Sequence, residues 1–199
     1  MQAVAARAAD DVVPAGSAAF FEAWLSRLKP ESVSPQATPY PPGARKTLVV
    51  CGSAFCASRE RVQVAHKKGA PVVYISPYRT GTPQLQRYAD SVVQALRTEG
   101  RAIVAIDQPT IEGKEAAAAL RDATAQVVEK TARAVALQEL IVEGGATAFA
   151  VTRRLGFSRF LPVSELAPGV VRMSVLGHDS VHLTIKPGSY EFPEEIWYS

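Results

Sequence analysis

Four short apolar runs constrain the fold of this chain more than any other feature of its sequence. Each is compact and rich in β-branched residues, as in strands of a parallel sheet that is covered on both faces. The runs are Thr47–Cys51, Val72–Ile75, Ala102–Ile106 and Glu139–Val142. Because turn and helix signals separate them, they predict four strands of one sheet.

Helical patterns fill the gaps between these runs. Apolar residues recur there at the spacing of one helix face, and the third segment is also rich in alanine. The predicted helices are Arg59–Lys68, Pro83–Thr98, Lys114–Val135 and one that opens at Thr147. The alternation predicts an α/β fold, a three-layer sandwich with a largely parallel central sheet.

The sequence pattern changes after Phe157 to short strand-like runs separated by turns, which predicts a C-terminal β-meander. Its strands are Phe160–Leu166, Val170–Val175 and Val181–Ile185. Turn residues such as Pro168-Gly169 separate them. In the last strand His182, Thr184 and Lys186 alternate with apolar residues, so one face is expected to be buried and the other wet or facing a ligand.

The N-terminal part has a different organisation. Ser17–Leu28 has the spacing of an amphipathic helix, and five prolines then follow within thirteen residues, at 30, 35, 39, 41 and 42. Such proline density is incompatible with a helix or a central strand. We therefore predict a helical segment in residues 1–29, a linker over 30–45 and the α/β domain over 46–199.

Composition excludes several classes of function. The 22 Lys and Arg residues against 19 Asp and Glu leave a net charge of +3 without a basic cluster, which argues against nucleic acid as a partner. No apolar run approaches the ~20 residues of a membrane span, and no secretory signal is recognisable, so a cytoplasmic location is expected. Two cysteines cannot build a structural zinc site, and Cys51 and Cys56 are interpreted as core thiols, with a disulfide as an alternative. Dinucleotide, Walker and Gly-x-Ser-x-Gly hydrolase motifs are absent from the sequence.

The most informative stretch is Ile141–Thr147, a buried strand that enters Gly144-Gly145 and then a helix start. Glycine lets backbone N–H groups approach an anion, and the helix dipole favours negative charge by roughly 0.3–1 kcal/mol. The pattern is typical of a phosphate site, and a plain tight turn is the alternative.

A second glycine turn, Cys51-Gly52-Ser53, follows the first strand and would face the same crevice. Ser53 and Ser58 are candidate hydroxyl donors, although Ser58 could simply cap a helix. Lys186, before Pro187-Gly188, could pair with a phosphate or be a solvated charge.

The order of these motifs resembles the nucleotide-binding C-terminal domain of the four-carbon acid sugar kinase family. The similarity runs from about Thr47 to Tyr190 and rests on a few short segments. These are Val50-Cys51-Gly52-Ser53, Glu143-Gly144-Gly145-Ala146-Thr147, Leu155-Gly156, Glu165–Val170 and Lys186-Pro187-Gly188.

The resemblance implies an ATP-dependent kinase that acts with Mg²⁺ on threonate, erythronate or 3-oxo-tetronate substrates. By position, Ser53 and the loop Gly144, Gly145, Ala146 and Thr147 would contact ATP, and the backbone of Gly188 would approach the nucleotide. Lys186 and Gly169 also match the family pattern. In that family the acid-sugar site and the catalytic aspartate belong to an N-terminal domain that this sequence lacks, so no catalytic or metal-ligating residue is assigned here.

Departures from the family pattern leave two hypotheses. Ala146 stands where the family usually has Asp or Glu, and Tyr190-Glu191 stands for Phe-Gly. The chain is either the ATP-binding half of such a kinase, partnered by a separate substrate-domain subunit or a second copy, or a non-catalytic nucleotide-binding or interaction module. The resemblance also implies that residues 1–29 are a remnant of the preceding substrate domain, and the apolar face of their helix requires a surface to pack on.

Overall fold

A computed structural model of the chain describes residues 18–28, 45–52, 56–107, 113–178 and 180–187. The chain divides into two compact units, Met1–Gln36 and Ala37–Ser199. In the first unit the described element is helix α1, Ala18–Leu28. Phe21 of α1 makes edge contacts with the rings of Phe20 and Trp24, at centroid distances of 5.9 and 6.1 Å.

The second unit is built on one sheet of seven strands. In chain order they are β1 Thr47–Cys51, β2 Val72–Ile75, β3 Arg101–Ile106, β4 Glu139–Glu143, β5 Phe160–Ala167, β6 Val170–Val175 and β7 His182–Lys186. Their order across the sheet is β2-β3-β1-β4-β7-β6-β5. The first five in that order are mutually parallel, and β6 and β5 are antiparallel to their neighbours. The meander strands therefore belong to the main sheet, because β7 pairs with β4.

Helices cover both faces of the sheet, which confirms the predicted three-layer α/β fold. They are α2 Cys56–Lys67, α3 Thr82–Thr98, α4 Lys114–Ala134 and α5 Gly145–Leu155. Helices α3, α4 and α5 pack with Leu48 and Val50 on one face, and α2 packs with Val49 and Cys51 on the other. This division follows from the strand period of two, which sends alternate side chains of β1 to opposite layers.

Element boundaries differ from the predictions at several strand ends and helix starts. Strand β4 extends beyond Val142 to Glu143, and β7 runs to Lys186, because these two side chains pair with each other inside the fold. Helix α2 begins three residues before the predicted Arg59, and α5 begins at Gly145 rather than Thr147. No helix among the described residues is long and apolar enough to cross a membrane.

Candidate functional site

The carboxyl ends of the parallel strands meet at one edge of the sheet. Cys51 of β1 pairs in register with Glu143 of β4, and Glu143 pairs with Lys186 of β7. The turn after β5 reaches the same edge, because Val171 near the start of β6 pairs with Ile185. Ligands of open α/β sheets bind at such an edge, so this edge is the first candidate for a ligand site.

Helix α5 starts at this edge directly after β4. Gly144 has φ +92°, a backbone conformation that favours glycine, and its N–H donates to the carbonyl of Lys186 at 2.9 Å. The N–H of Ala148 donates to the carbonyl of Gly144, and no described side chain caps the helix. The N–H groups of Gly145, Ala146 and Thr147 therefore precede the first intrahelical donor, where an anion is favoured.

The turn after β1 lies against this helix start. A Cβ atom added to Gly52 would lie 2.8 Å from Cβ of Thr147 and closer still to its Oγ1. Thr147 is buried, whereas Gly145 and Ala146 are exposed beside it. The structure thus brings Gly52 and the loop Gly144–Thr147 together. Ser53 and Gly188, the other predicted nucleotide contacts, lie outside the described residues.

A buried charge cluster supports the same edge from inside. Glu143 Oε1 accepts hydrogen bonds from the hydroxyl of Ser58 and, at 2.5 Å, from Nζ of Lys186. Glu143 Oε2 is buried and has no hydrogen-bond partner among the described residues. The cluster links α2, β4 and β7 next to the glycine turns. It therefore holds three of the elements that adjoin these turns in place.

Two sequence-based interpretations are wrong at this cluster. Lys186 is only 4% exposed, so it is not a solvated charge and its face of β7 is not wet. Ser58 is the third residue of α2 and donates across to β4, so it is not the helix cap. Glu143 itself was missed, although an acidic residue that ends a buried strand immediately before two glycines is a recognisable signal.

The two cysteines are free thiols in different environments. Burial, with the nearby Glu143 carboxylate as a second cause, holds the pKa of Cys51 well above the ordinary value. Cys56 is exposed, contrary to its interpretation as a core thiol, and its Sγ lies 3.1 Å from Oε1 of Glu60. That hydrogen bond and charge raise its pKa too. Neither cysteine is therefore an activated nucleophile.

A second buried charge cluster lies at the opposite end of β4. Glu139 pairs with Arg172 of β6 and, at 3.0 Å, with Arg45. The imidazole of His182 lies 3.8 Å from the same carboxylate, and its burial, followed by the charge of Arg172, lowers its pKa. The cluster anchors the meander to the parallel strands, and its distance from the glycine turns makes it a structural feature.

A cavity of about 340 Å³ also lies at that opposite edge, beside the C-terminal ends of α4 and α5. Its arginines, Arg133 and Arg154, already pair with Glu129. The N–H groups that suit an anion are at the other edge, so this cavity is not part of the candidate site.

The glycine-turn edge fits an anion better than an isolated metal ion. Gly145 and Ala146 are exposed at the helix start, and a Cβ added to Gly145 would meet no described atom within 4 Å outside its own turn of helix. No group of three or more His, Cys, Asp or Glu side chains suited to a metal occurs among the described residues. A divalent cation bound here would need oxygen ligands from the anion itself, as Mg²⁺ commonly does with phosphates.

Comparison with known proteins gives the site a context. A family model for a nucleotide-binding C-terminal domain matches residues 48–190, whereas no curated protein matches the chain. A Haemophilus influenzae protein of the DUF1537 family has a similar structure, with 21% identity, a TM-score of 0.73 and coverage of 98% of this chain and 49% of that one.

Two further solved structures share the fold. A Salmonella typhimurium LT2 protein, provisionally called a tRNA synthase, is 22% identical, with a TM-score of 0.68 over 89% of this chain and 44% of its own. A domain-swapped dimer from Bordetella bronchiseptica, another DUF1537 protein, was solved with bound citrate. It is 17% identical, with a TM-score of 0.60 over 73% of this chain and 37% of its own. The chain thus spans less than half the length of each of these proteins.

Proposed function

Because the chain belongs to the family of nucleotide-binding C-terminal domains, we propose that it is the ATP-binding half of a four-carbon acid sugar kinase. The phosphates bind at the N–H groups of Gly145, Ala146 and Thr147, and Gly52 forms the opposite wall. The resemblance adds Ser53 and the backbone of Gly188 as further contacts. The contact between Gly52 and Thr147 carries this proposal, because it joins two glycine turns into one crevice.

The chemistry of phosphoryl transfer explains why ATP and the acid sugar would bind to different domains. That reaction depends mainly on positioning two substrates and stabilising charge, so half of a site binds without catalysing. ATP supplies the phosphoryl group and brings Mg²⁺ with it, whereas this chain holds and orients the phosphates. The acid sugar, of the threonate, erythronate or 3-oxo-tetronate type, binds to a substrate domain. A longer chain or a separate subunit provides that domain.

Calorimetric titration with Mg·ATP tests the proposal. We expect a Kd between micromolar and low millimolar, about −8 to −4 kcal/mol. Gly145→Val should abolish binding, because the added side chain occupies the space in which the phosphates would lie. It should not unfold the protein, because that space is open in the structure. Gly81→Val is the matched control, since Gly81 precedes α3 and is equally open. Absence of binding at millimolar ATP, or equal loss in both variants, contradicts the proposal.

A non-catalytic nucleotide-binding or interaction module is the second candidate, and Ala146 favours it. The methyl group at this exposed position supplies no carboxylate to a metal–nucleotide complex. Ala146→Asp separates the candidates when ATP binding is measured with and without Mg²⁺. In a kinase-type site the aspartate should strengthen Mg·ATP binding about tenfold, the effect of one contact worth about 1.4 kcal/mol. Without Mg²⁺ it should weaken binding, because two negative charges then repel each other.

The isosteric variant Ala146→Asn controls for shape. It should leave both affinities close to those of the wild type, since it adds no charge. If Ala146→Asp weakens ATP binding under both conditions, the surface has no metal–nucleotide geometry and the second candidate is favoured.

A further inference from the structure

A groove of about 690 Å³ runs between α4 and α5, and one end of it reaches the start of α5. Its volume is within the range of small-molecule sites. Three alanines leave the groove open, while Phe149, three arginines and Asp122 provide larger side chains along it. Besides Asp122 and Arg154, the lining residues are Ala118, Arg121, Ala146, Phe149, Ala150 and Arg153.

The groove is continuous with the candidate phosphate site. On α5 its residues are Ala146, Phe149, Ala150 and Arg153, the spacing of one helical face. The first of them carries one of the N–H groups at the helix start. A molecule whose anionic end binds at that turn can therefore extend along this face of α5.

Phe149 gives the groove a flat apolar wall. Its side chain is 66% exposed, although a phenyl group of this size is normally buried. It lies on the same helix face as the exposed residue Ala146, one turn further along α5. An exposed ring beside a phosphate site is suited to stacking with a planar base, because every nucleobase presents a π face.

The charges of the groove favour the same kind of ligand. Arg154 is held by Asp122 at 2.7 Å and by Glu129 at 3.1 Å. Arg121 and Arg153, in contrast, form no ion pair with any residue that the structure describes. Their guanidinium groups can stack on a base or attract the phosphate chain.

We propose that this groove is the nucleobase subsite, with Phe149 stacking on the base and Arg121 and Arg153 flanking it. The inference rests on the proposed function, because it assumes that the phosphates bind at Gly145–Thr147. Beyond that function, the subsite specifies where the base lies and which side chains distinguish a nucleotide from a simple polyphosphate.

Competition between ligand classes tests the subsite. Calorimetry would compare Mg·ATP with magnesium tripolyphosphate, which has the phosphate chain and lacks the base. Wild-type protein should bind ATP more tightly. Phe149→Ala should weaken ATP binding about 5- to 150-fold, the range of base–aromatic stacking, and leave tripolyphosphate binding within about twofold. Ala118→Trp, an exposed position on α4, should fill the groove and have the same selective effect.

The control is Leu161→Ala, because Leu161 is another large, exposed apolar residue and lies on strand β5, away from the groove. It should change neither affinity. Equal wild-type affinity for ATP and tripolyphosphate overturns the subsite. So does unchanged ATP binding in Phe149→Ala and Ala118→Trp while Gly145→Val still abolishes it, a result that leaves the proposed function intact. If the wild type binds neither ligand, the proposed function fails and the subsite fails with it.

Discussion

At the scale of residues, the unusual feature is a set of ionised groups inside the fold. Glu143 and Lys186 are both almost fully inaccessible and are 43 residues apart in the chain. Moving either charge alone out of water costs several kcal/mol, and their mutual hydrogen bond offsets that cost. The pair therefore stabilises the site edge only while both members are present.

Lys186→Met tests this dependence. The variant leaves Glu143 as a buried carboxylate without its cation, so the free energy of unfolding should fall by about 3–5 kcal/mol in urea titrations. The double variant Glu143→Gln/Lys186→Met should be less destabilised than the sum of the two single changes. Arg133→Ala, which breaks an exposed pair with Glu129, serves as the control and should cost under about 0.5 kcal/mol. Additive losses would show that the two groups are not coupled.

The thiols provide a second test. Native protein treated with a thiolate-selective alkylating reagent should be modified at Cys56 and remain unmodified at Cys51, because Cys51 is buried and its raised pKa keeps it protonated. Glu60→Gln should speed the modification of Cys56, since the carboxylate that raises its pKa is gone. Mass spectrometry of the labelled peptides gives both rates. A slower reaction in Glu60→Gln would contradict the assigned cause.

At the scale of elements, the site depends on the close approach of two strand-to-helix connections. The end of β1 can contact the first turn of α5 only because residue 52 has no Cβ. Parallel pairing of β1 with β4 places both turns at the same level along the strand direction, since Cys51 and Glu143 are register partners. Sheet register and one glycine thus position the candidate phosphate loop.

Gly52→Ala should destabilise the protein by about 1–3 kcal/mol, the usual cost of overpacking, because the new methyl group overlaps Thr147. The cost should be smaller in a Thr147→Ala background, where Oγ1 and the methyl group of Thr147 are absent. Gly145→Ala is the control, as the added Cβ meets no described atom, and it should change stability by less than about 0.5 kcal/mol. Urea unfolding of the four variants measures the coupling, and an equal cost in both backgrounds would place the strain elsewhere.

At the scale of the whole molecule, both hydrophobic cores belong to the second compact unit. Their buried members all lie between Leu48 and Leu183. The first described residue of this unit is Arg45, whose guanidinium pairs with Glu139. The unit Ala37–Ser199 therefore contains its own core and the candidate site.

A chain that starts at Ala37 should consequently fold by itself. We expect it to keep the cooperative urea transition of the full chain, followed by far-ultraviolet circular dichroism, and its affinity for Mg·ATP. A chain that starts at Lys46 is the matched comparison, because it also loses Arg45 and one partner of the buried Glu139. If the chain from Ala37 unfolds without cooperativity, residues 1–36 contribute to the core.

The sequence by itself determined the parallel core of this protein. The apolar runs of β1 and β2 gave their bounds without error, and the alanine-rich pattern of α4 was misplaced by one residue at its end. These elements are visible because burial on both faces demands uninterrupted apolar residues, a local property of the chain. Gly144-Gly145 after a buried strand was equally visible, since turn geometry is local too.

Only the tertiary structure decided which polar residues are buried and which partners they have. In the sequence Glu143 only follows a predicted strand, Lys186 is a surface charge or a phosphate partner, and Ser58 is a helix cap or a hydroxyl donor. Their pairing with one another is not visible there, because the partners are 43 and 85 residues apart. The same holds for Phe149, whose exposure beside the Gly144-Gly145 turn depends on how α5 packs against α4. A buried charge or an exposed ring is stable or useful only through a neighbour in space, and sequence distance does not reveal that neighbour.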